Sequence, residues 1–575
     1  MIKKEAVKDA IFLFGCFLLF LFVFRSIAFN LSTNLLDWFD YPYIVWVVSH
    51  NVEAFRSLRI DGFFDSNIFY PNKGTFLFSD MLMLPSFILF VLSYLTNNLI
   101  NSFNLLFFIS LVLNCVASLF FWKRFFQKRI YVYFATFLTA FSPYLFLSTS
   151  HFQLLSFWPF LFGLSFLFDK KITFRKMFFV GVLTGLQFIT GVYLSIFMLF
   201  AIFIWFVLKL LYERTEEKLV RLRLIQVLIF GIAFLITAGF FASRYIQVKN
   251  AYNIKRDYGE YVLYSAHLTD YIFTSHYRSL LSTSATGEGW NRFNKHLVGE
   301  SAGFPGVVIL TLSFIGILGF KKDKKRLNLF FDLEFIKVYF LVLIISAFIF
   351  SLGPRLSVNG FYTGIPLPYH FVMKLVPIVE PVRAPARWMI LLFLGLIYFA
   401  VVGLKKLMDR FPDNKLILVG IGVLFFVEIV PINKSTEAKN YYPKAYETIA
   451  NKCQVKSSVL LEYPMTQFKK DANLLDNLSY RTQMMMASVR HRCDLVNGYH
   501  GYIPKDYEKY ENELFAAIES EDESSFWEKI KEKNVRLVKL NENEIYLDRA
   551  ERIKLWLLKK GKILYQDESF LVIEI

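Results

Sequence analysis

Two aspartates, Asp37 and Asp40, stand three residues apart in the aromatic stretch NLLDWFDYPYIVWVV. If that stretch is helical, the i, i+3 spacing puts both carboxylates on one face within a single turn. Ionised carboxylates resist burial at a membrane interface, so two of them on an aromatic-rich helix point to a polar cavity, where they would handle a proton or bind a substrate. A plainer role is open to each, because Asp37 can cap the helix N-terminus and Asp40 can face water. Farther along, Arg383 and Arg387 flank Pro385 in VRAPAR and could present two guanidinium forks to one anion, or simply snorkel to an interface. His296 and Glu300 in NKHLVGESAGFPG have the i, i+4 spacing that can chelate a metal; a local salt bridge is the alternative. The segment VNGYHGYIP joins glycines to tyrosine and imidazole rings, a composition suited to stacking on sugar rings or to a tight turn that needs glycine at positive φ.

The elements that must position these residues are mostly membrane helices. The 575-residue chain is 55% hydrophobic and 19% aromatic but only 19% charged, an apolar excess that requires lipid as solvent. Its formal charge of +17 does not indicate a nucleic-acid partner, since the Lys and Arg sit in short clusters between apolar runs and not along one face. Runs long enough to cross a bilayer core of about 30 Å occur near 10–28, 103–122, 130–149, 152–168, 177–192, 193–212, 224–243, 304–320, 336–352, 387–404 and 415–431. One shorter run, 81–96, decides the topology. If it lies along the surface, the clusters around Lys3 and Lys4, Lys123 to Arg129, Lys170 to Lys176, Arg214 to Arg223, Lys321 to Arg326 and Lys405 to Arg410 all become cytoplasmic.

The expectation is therefore a polytopic α-helical membrane protein with about eleven transmembrane helices over 1–431 and a cytoplasmic N-terminus. Its outer loops would be 30–102, 244–303 and 353–386. An extracytoplasmic α/β domain would follow over 432–575, with strand character at 457–463, 535–540, 563–565 and 570–573 and helical spacing between. Cys16 and Cys115 fall in apolar runs and should act as small hydrophobes; whether Cys453 and Cys493 pair in the tail is open. No Cys-x-x-Cys spacing marks a zinc site.

Several of these segments together carry a resemblance. An outer loop with an early Asp on a surface helix, then a proline-containing interfacial helix at Leu84 and Pro85 and a span ending in basic residues, resembles the GT-C superfamily of membrane glycosyltransferases. More narrowly, the chain is similar to a little-characterised branch of bacterial multispanning proteins. Asp40 with Trp46 matches its first motif, and Ile68 to Pro71 with Thr75, Leu77, Ser79 and Asp80 match its "iFYP…tLayS(D/E)" segment. His151 and Gln153 before Trp158 and Pro159, Arg383, Pro385 and Arg387, and Asn497, Gly498, Tyr499 and Gly501 match the others.

The resemblance implies transfer of a sugar from a polyprenyl-phosphate-linked donor to a glycan, lipid or protein acceptor at the outer face. An acceptor hydroxyl is a poor nucleophile until a base takes its proton. Asp40 is expected to be that base, Asp37 its helper or a substrate ligand, and direct attack would invert the anomeric centre. Substrate contacts are expected from Asp80, His151, Gln153, His267, His296, Glu300, Arg383 and Arg387. Many GT-C enzymes carry a second acid where this chain offers His151 and Gln153. No cofactor is required, although a divalent metal could sit at His296 and Glu300. Two other readings stay open: a transporter or flippase of lipid-linked glycans, and a non-catalytic membrane assembly factor. The spans hold few ionisable groups, which disfavours the transporter.

Overall fold

The computed structural model describes residues 2–37, 40–58, 62–213, 216–272, 303–318, 330–412, 414–429, 436–437, 442–455, 458–465 and 474–575. His296 and Glu300 lie outside the described residues. Five helices are long and apolar enough to cross a membrane: Lys4–Val23, Leu99–Trp122, Val192–Glu213, Glu217–Ala251 and Pro385–Arg410. Shorter apolar helices include Phe152–Leu167, Val307–Leu318, Phe335–Ser351 and Leu416–Glu428. The helix Met83–Leu95 has 13 residues, roughly 20 Å at 1.5 Å per residue, which falls short of a bilayer core of about 30 Å. It buries Pro85, Ser86, Leu89 and Leu92 on one side and exposes Phe87, Val91, Tyr94 and Leu95 on the other.

Two runs expected to be single spans are broken. Residues 130–149 form Arg129–Ala140 and then Pro143–Leu147, and residues 152–168 form Phe152–Leu155 and Trp158–Leu167. Pro143 and Pro159 lack the N–H that would continue a helix, and each instead sits in the first turn of a new one. Ser142 Oγ caps the second segment by accepting from Leu145 N at 3.3 Å. Backbone groups freed by a break in an apolar setting must find partners inside the protein. Buried amides supply them: Asn114 Nδ2 donates to Leu155 O at 2.7 Å, Gln187 Nε2 to Ser156 O at 3.2 Å, and Gln187 Oε1 accepts from Phe160 N at 3.2 Å.

The chain divides into two compact units. The first comprises Met1–Arg25, Phe107–Ala242 and Lys255–Asn433. Its centre is the buried helix Met389–Arg410, crossed by Val307–Leu318 where Gly316 and Gly403 meet. A Cβ on Gly316 would lie 2.0 Å from Phe399 O, and one on Gly403 2.0 Å from Leu312 O, so only glycine allows this backbone approach. Glu428 caps Val307–Leu318 by accepting from Val307 N and Val308 N.

The second unit comprises Ser26–Leu106, Ser243–Ile254 and Lys434–Ile575, so the first loop is gathered with the tail and not with the helical bundle. It holds a five-stranded sheet in the order Asp494–Leu495, Val459–Tyr463, Val535–Asn541, Phe570–Glu574, Lys562–Gln566. The first three strands are parallel and the last two antiparallel additions. Val459–Tyr463 is buried along its whole length, as a parallel strand covered on both faces must be. Helices Ala445–Val455, Leu474–His491, Lys505–Glu519, Glu523–Glu532 and Leu547–Lys560 accompany the sheet. Cys453 and Cys493 form a disulfide, with Cα atoms 5.3 Å apart. Inside, Lys539 Nζ lies 2.8 Å from Glu462 Oε2, which also accepts from Tyr446 Oη at 2.6 Å. His491 stacks on Tyr446 with centroids 5.5 Å apart.

The FYP segment of the first loop continues the sheet edge. Leu495 N donates to Asn67 O at 2.6 Å, Tyr70 N to Leu495 O at 2.9 Å and Phe69 N to Asn497 O at 3.1 Å. Two motifs more than 400 residues apart in sequence are thus one hydrogen-bonded structure. The glycines of VNGYHGYIP serve close approach and not positive φ: a Cβ on Gly498 would lie 2.8 Å from the Phe69 ring, and one on Gly501 2.7 Å from Phe78 O.

Candidate functional site

In the second unit the aromatic stretch forms the helix Asp40–Ser57. Asp37 precedes it and is not on its face: Asp37 Oδ1 accepts from Asp40 N at 2.9 Å and Tyr41 N at 3.2 Å, an N-cap that satisfies two of the amides left over at a helix start. Asp40 is the first helical residue and is half-buried. A carboxylate in this place is favoured by the positive end of the helix dipole.

One turn on stands Tyr43, which the sequence reading passed over. Its hydroxyl is 3.1 Å from His500 Nδ1. The amide of Gly501 also donates to Nδ1, at 3.1 Å; the nitrogen that accepts twice carries no proton, so neutral His500 holds its hydrogen on Nε2. Burial pushes the Tyr43 hydroxyl far above its ordinary range, with Tyr499, Asp80 and Asp40 adding to the rise and a hydrogen bond with Ser79 opposing it. Tyr43 is therefore a neutral donor at every physiological pH. Tyr245 donates to Ser79 O at 2.8 Å, and Asn51 Nδ2 holds Met81 O at 2.7 Å, so the backbone on either side of Asp80 is fixed. Asp40 opens the helix, Asp80 follows the Ser79 carbonyl held by Tyr245, and both carboxylates add to the rise at Tyr43. Such a pair can accept a proton at one carboxylate while hydroxyl donors orient a polyol substrate.

The other expected residues lie in the first unit. His151 is the N-cap of Phe152–Leu155, at the break described above. Gln153 follows, 8% exposed, with its Oε1 buried and without a partner among the described residues; a Cβ on Gly191 would lie 2.9 Å from it. Arg387 is 5% exposed with its guanidinium 4.8 Å from the Tyr193 ring centroid, so it does not snorkel. Arg383 lies 5.3 Å from the Tyr264 ring centroid, and its backbone N–H donates to Tyr193 Oη at 3.1 Å. Tyr193 therefore touches both arginines. His267 is fully buried, and its Nδ1 accepts from Gly360 N at 2.9 Å. Its imidazole holds the turn of the hairpin of Arg355–Val358 and Phe361–Pro366. Among the described residues no three His, Cys, Asp or Glu side chains are grouped to hold a metal ion.

Tyr43, Ser79 and Tyr245 were the residues missed. Ser79 had a signal, its place beside Asp80 in the loop motif. Tyr245 had none, because the helix Glu217–Ala251 continues past the apolar run that marked it.

A family model described as a domain of unknown function, DUF6311, matches residues 12–430. No curated protein matches the sequence. Among solved structures, the archaeal oligosaccharyltransferase AglB from Archaeoglobus fulgidus, in complex with an inhibitory peptide and a dolichol-phosphate, superposes with a TM-score of 0.52 at 12% identity, over 97% of this chain and 73% of that one. The apo form of the A. fulgidus enzyme gives 0.52 at 13% identity, over 93% and 69%. The arabinofuranosyltransferase AftD from Mycobacteria gives 0.55 at 10% identity over 99% of this chain, which spans 40% of its length. These are GT-C membrane glycosyltransferases, and what they share with this chain at such identities is the fold.

Proposed function

We propose that this chain, which belongs to the DUF6311 family, is a GT-C membrane glycosyltransferase that moves a sugar from a polyprenyl-phosphate-linked donor to an acceptor at the outer face of the membrane. The observation that carries the reading is Asp40 at the head of a helix whose first turn bears the Tyr43–His500 hydrogen bond, in a chain with a GT-C fold. Asp40 takes the proton of the acceptor hydroxyl as its oxygen bonds to the anomeric carbon. The bond from that carbon to the phosphate oxygen breaks with its electron pair, and the lipid phosphate leaves, so a single displacement inverts the centre. Asp80 and the Ser79 hydroxyl hold the reacting sugars, Tyr43 steadies the helix start through His500, and Asp37 acts through the helix that it caps. Within the first unit, Arg383 and Arg387 carry guanidinium forks suited to an anion, and they, with His151 and Gln153, are the further substrate contacts of this proposal. The step needs no metal ion in this reading, and an equal rate with and without a chelator is the expected outcome.

The topology belongs to the same proposal: eleven spans, N-terminus inside, and the second unit's sheet outside. The short helix Met83–Leu95, amphipathic and too brief to cross, supports it, as does the Cys453–Cys493 disulfide, since such bonds persist in oxidising compartments.

The test is to incubate purified protein with a panel of polyprenyl-phosphate sugars and compare the wild type with Asp40→Asn. Turnover that survives unchanged in the variant removes Asp40 from the mechanism. No turnover with any donor favours the flippase or assembly-factor readings.

A further inference from the structure

The second unit contains a groove that the proposed chemistry does not use. Its volume is about 690 Å³, and it runs beside the helix Asp40–Ser57 between the first loop and the end of Leu474–His491. Six charged side chains line it: Glu53, Asp65 and Asp494 against Arg56, Lys73 and Arg492. Three acids balance three bases, and two pairs are made internally. Arg492 straddles the Glu53 carboxylate with both contacts at 3.2 Å, and Lys73 lies 3.3 Å from Asp65. Arg56 donates to Ser93 Oγ at 2.8 Å.

These features select a class of ligand. A phosphate or uronate at Arg492 or Lys73 would have to displace a carboxylate already seated there, and Arg56 is engaged by Ser93 and the Tyr94 ring, so a strongly anionic ligand is disfavoured. An extended peptide would look for an open strand edge, but the edge at Asp494–Leu495 is already taken by residues 67–70. A neutral polyol needs neither. Paired carboxylate and guanidinium groups still offer planar acceptors and donors to adjacent hydroxyls, and the half-buried rings of His50 and Tyr70 supply apolar faces. His50 is stacked on Phe76 at 4.3 Å and bonded to Phe63 O at 3.0 Å, so its ring is fixed in place. Asp40 and His50 are ten residues apart on one helix, roughly 15 Å along its axis, so a chain of sugars lying in the groove can present one end toward Asp40.

We propose that this groove binds the neutral sugar residues of an oligosaccharide acceptor, so that the acceptor is a glycan and not a peptide or a bare lipid. Its role as acceptor rests on the glycosyltransferase reading above; the binding itself does not. The test uses the full chain in lipid nanodiscs against a panel of neutral hexose and N-acetylhexosamine oligosaccharides, uronate-bearing and phosphorylated glycans, and peptides. Wild type is expected to bind neutral oligosaccharides. The double variant Glu53→Gln, Arg492→Gln should weaken that binding at least tenfold while leaving the fold intact, since both side chains are about half exposed and such pairs contribute little stability. Asp40→Asn should bind the same glycans as wild type. No neutral glycan bound, equal binding by the double variant, or a preference for charged glycans or peptides would each overturn the proposal. If neutral glycans bind and the double variant loses them but no donor is turned over, the groove stands and the glycosyltransferase reading falls.

Discussion

The two compact units treat buried polarity in opposite ways. In the first, the amides of Asn114 and Gln187 and the carboxylate of Glu428 are committed to backbone groups at helix breaks and helix starts, and the two arginines lie on tyrosine rings. In the second, Asp37 and Asn51 also serve backbone groups, but the hydroxyl of Tyr43 is committed to the side chain of His500. In an apolar bundle most polar side chains are needed to satisfy backbone groups, whereas the loop-and-tail unit can direct polar groups at a substrate. A polar residue in an apolar run is therefore weaker evidence of function than one in the loop that the tail covers.

The largest effect that would break this contrast comes from Asp40→Asn, expected to lower turnover on the order of 10²–10⁴-fold with little change in melting temperature. A drop in stability to match the drop in turnover would make Asp40 structural, like its counterparts in the bundle. Arg387→Lys tests the exception in the first unit. Loss of a planar fork stacked on Tyr193 should cost about 1.5–3 kcal/mol, read as a ten- to hundredfold rise in donor KM with kcat nearly kept. Gly498→Ala would press a methyl into the Phe69 ring and should destabilise the second unit by about 1–3 kcal/mol, measured by denaturant titration of the full chain.

Burial, with Lys539 nearby, holds the His491 imidazole down to about 3, so in the folded protein it is neutral across the physiological range. The unfolded chain takes up that proton below about 6.5, so stability should fall as pH drops from 6.5 toward 5, by up to about 1.4 kcal/mol per pH unit. A His491→Phe variant should flatten that slope in thermal melts. The smallest effect belongs to Asp37→Ala, expected to cost about 1 kcal/mol of stability as a lost cap and to leave most of the turnover. Asp37 and Asp40, adjacent on paper, would then separate into a structural and a chemical role.

Much of the architecture was legible because it obeys short-range rules. Every apolar run contains helix, and strands at Val459–Tyr463, Val535–Asn541, Lys562–Gln566 and Phe570–Glu574 fall where β-branched and aromatic residues cluster. The breaks at Ser142 and Ser156 were illegible, since two prolines in apolar runs read equally well as kinks; what decides is whether distant amides such as Asn114 can donate to the freed carbonyls. Helix Leu474–His491 escaped because its mean apolarity is low and its methionines are buried by tertiary packing. At the site, aspartate spacing gave Asp40, yet Tyr43 looked like one more aromatic residue until His500, from a motif 457 residues away, was brought against it. Of the two roles the sequence left open for Asp37, the helix start at Asp40 supplies the cap.

The pairing of residues 67–70 with 495–497 also sets a timetable. The first loop leaves the ribosome long before the strand it must join, Asn67 and Cys493 being 426 positions apart, so it waits unpartnered through the insertion of most of the bundle. Contacts this distant in sequence form late, and a chain released before residue 495 would carry Asp40 on a loop with no partner strand. The catalytic apparatus proposed here can be assembled only after residues 495–497 have been made.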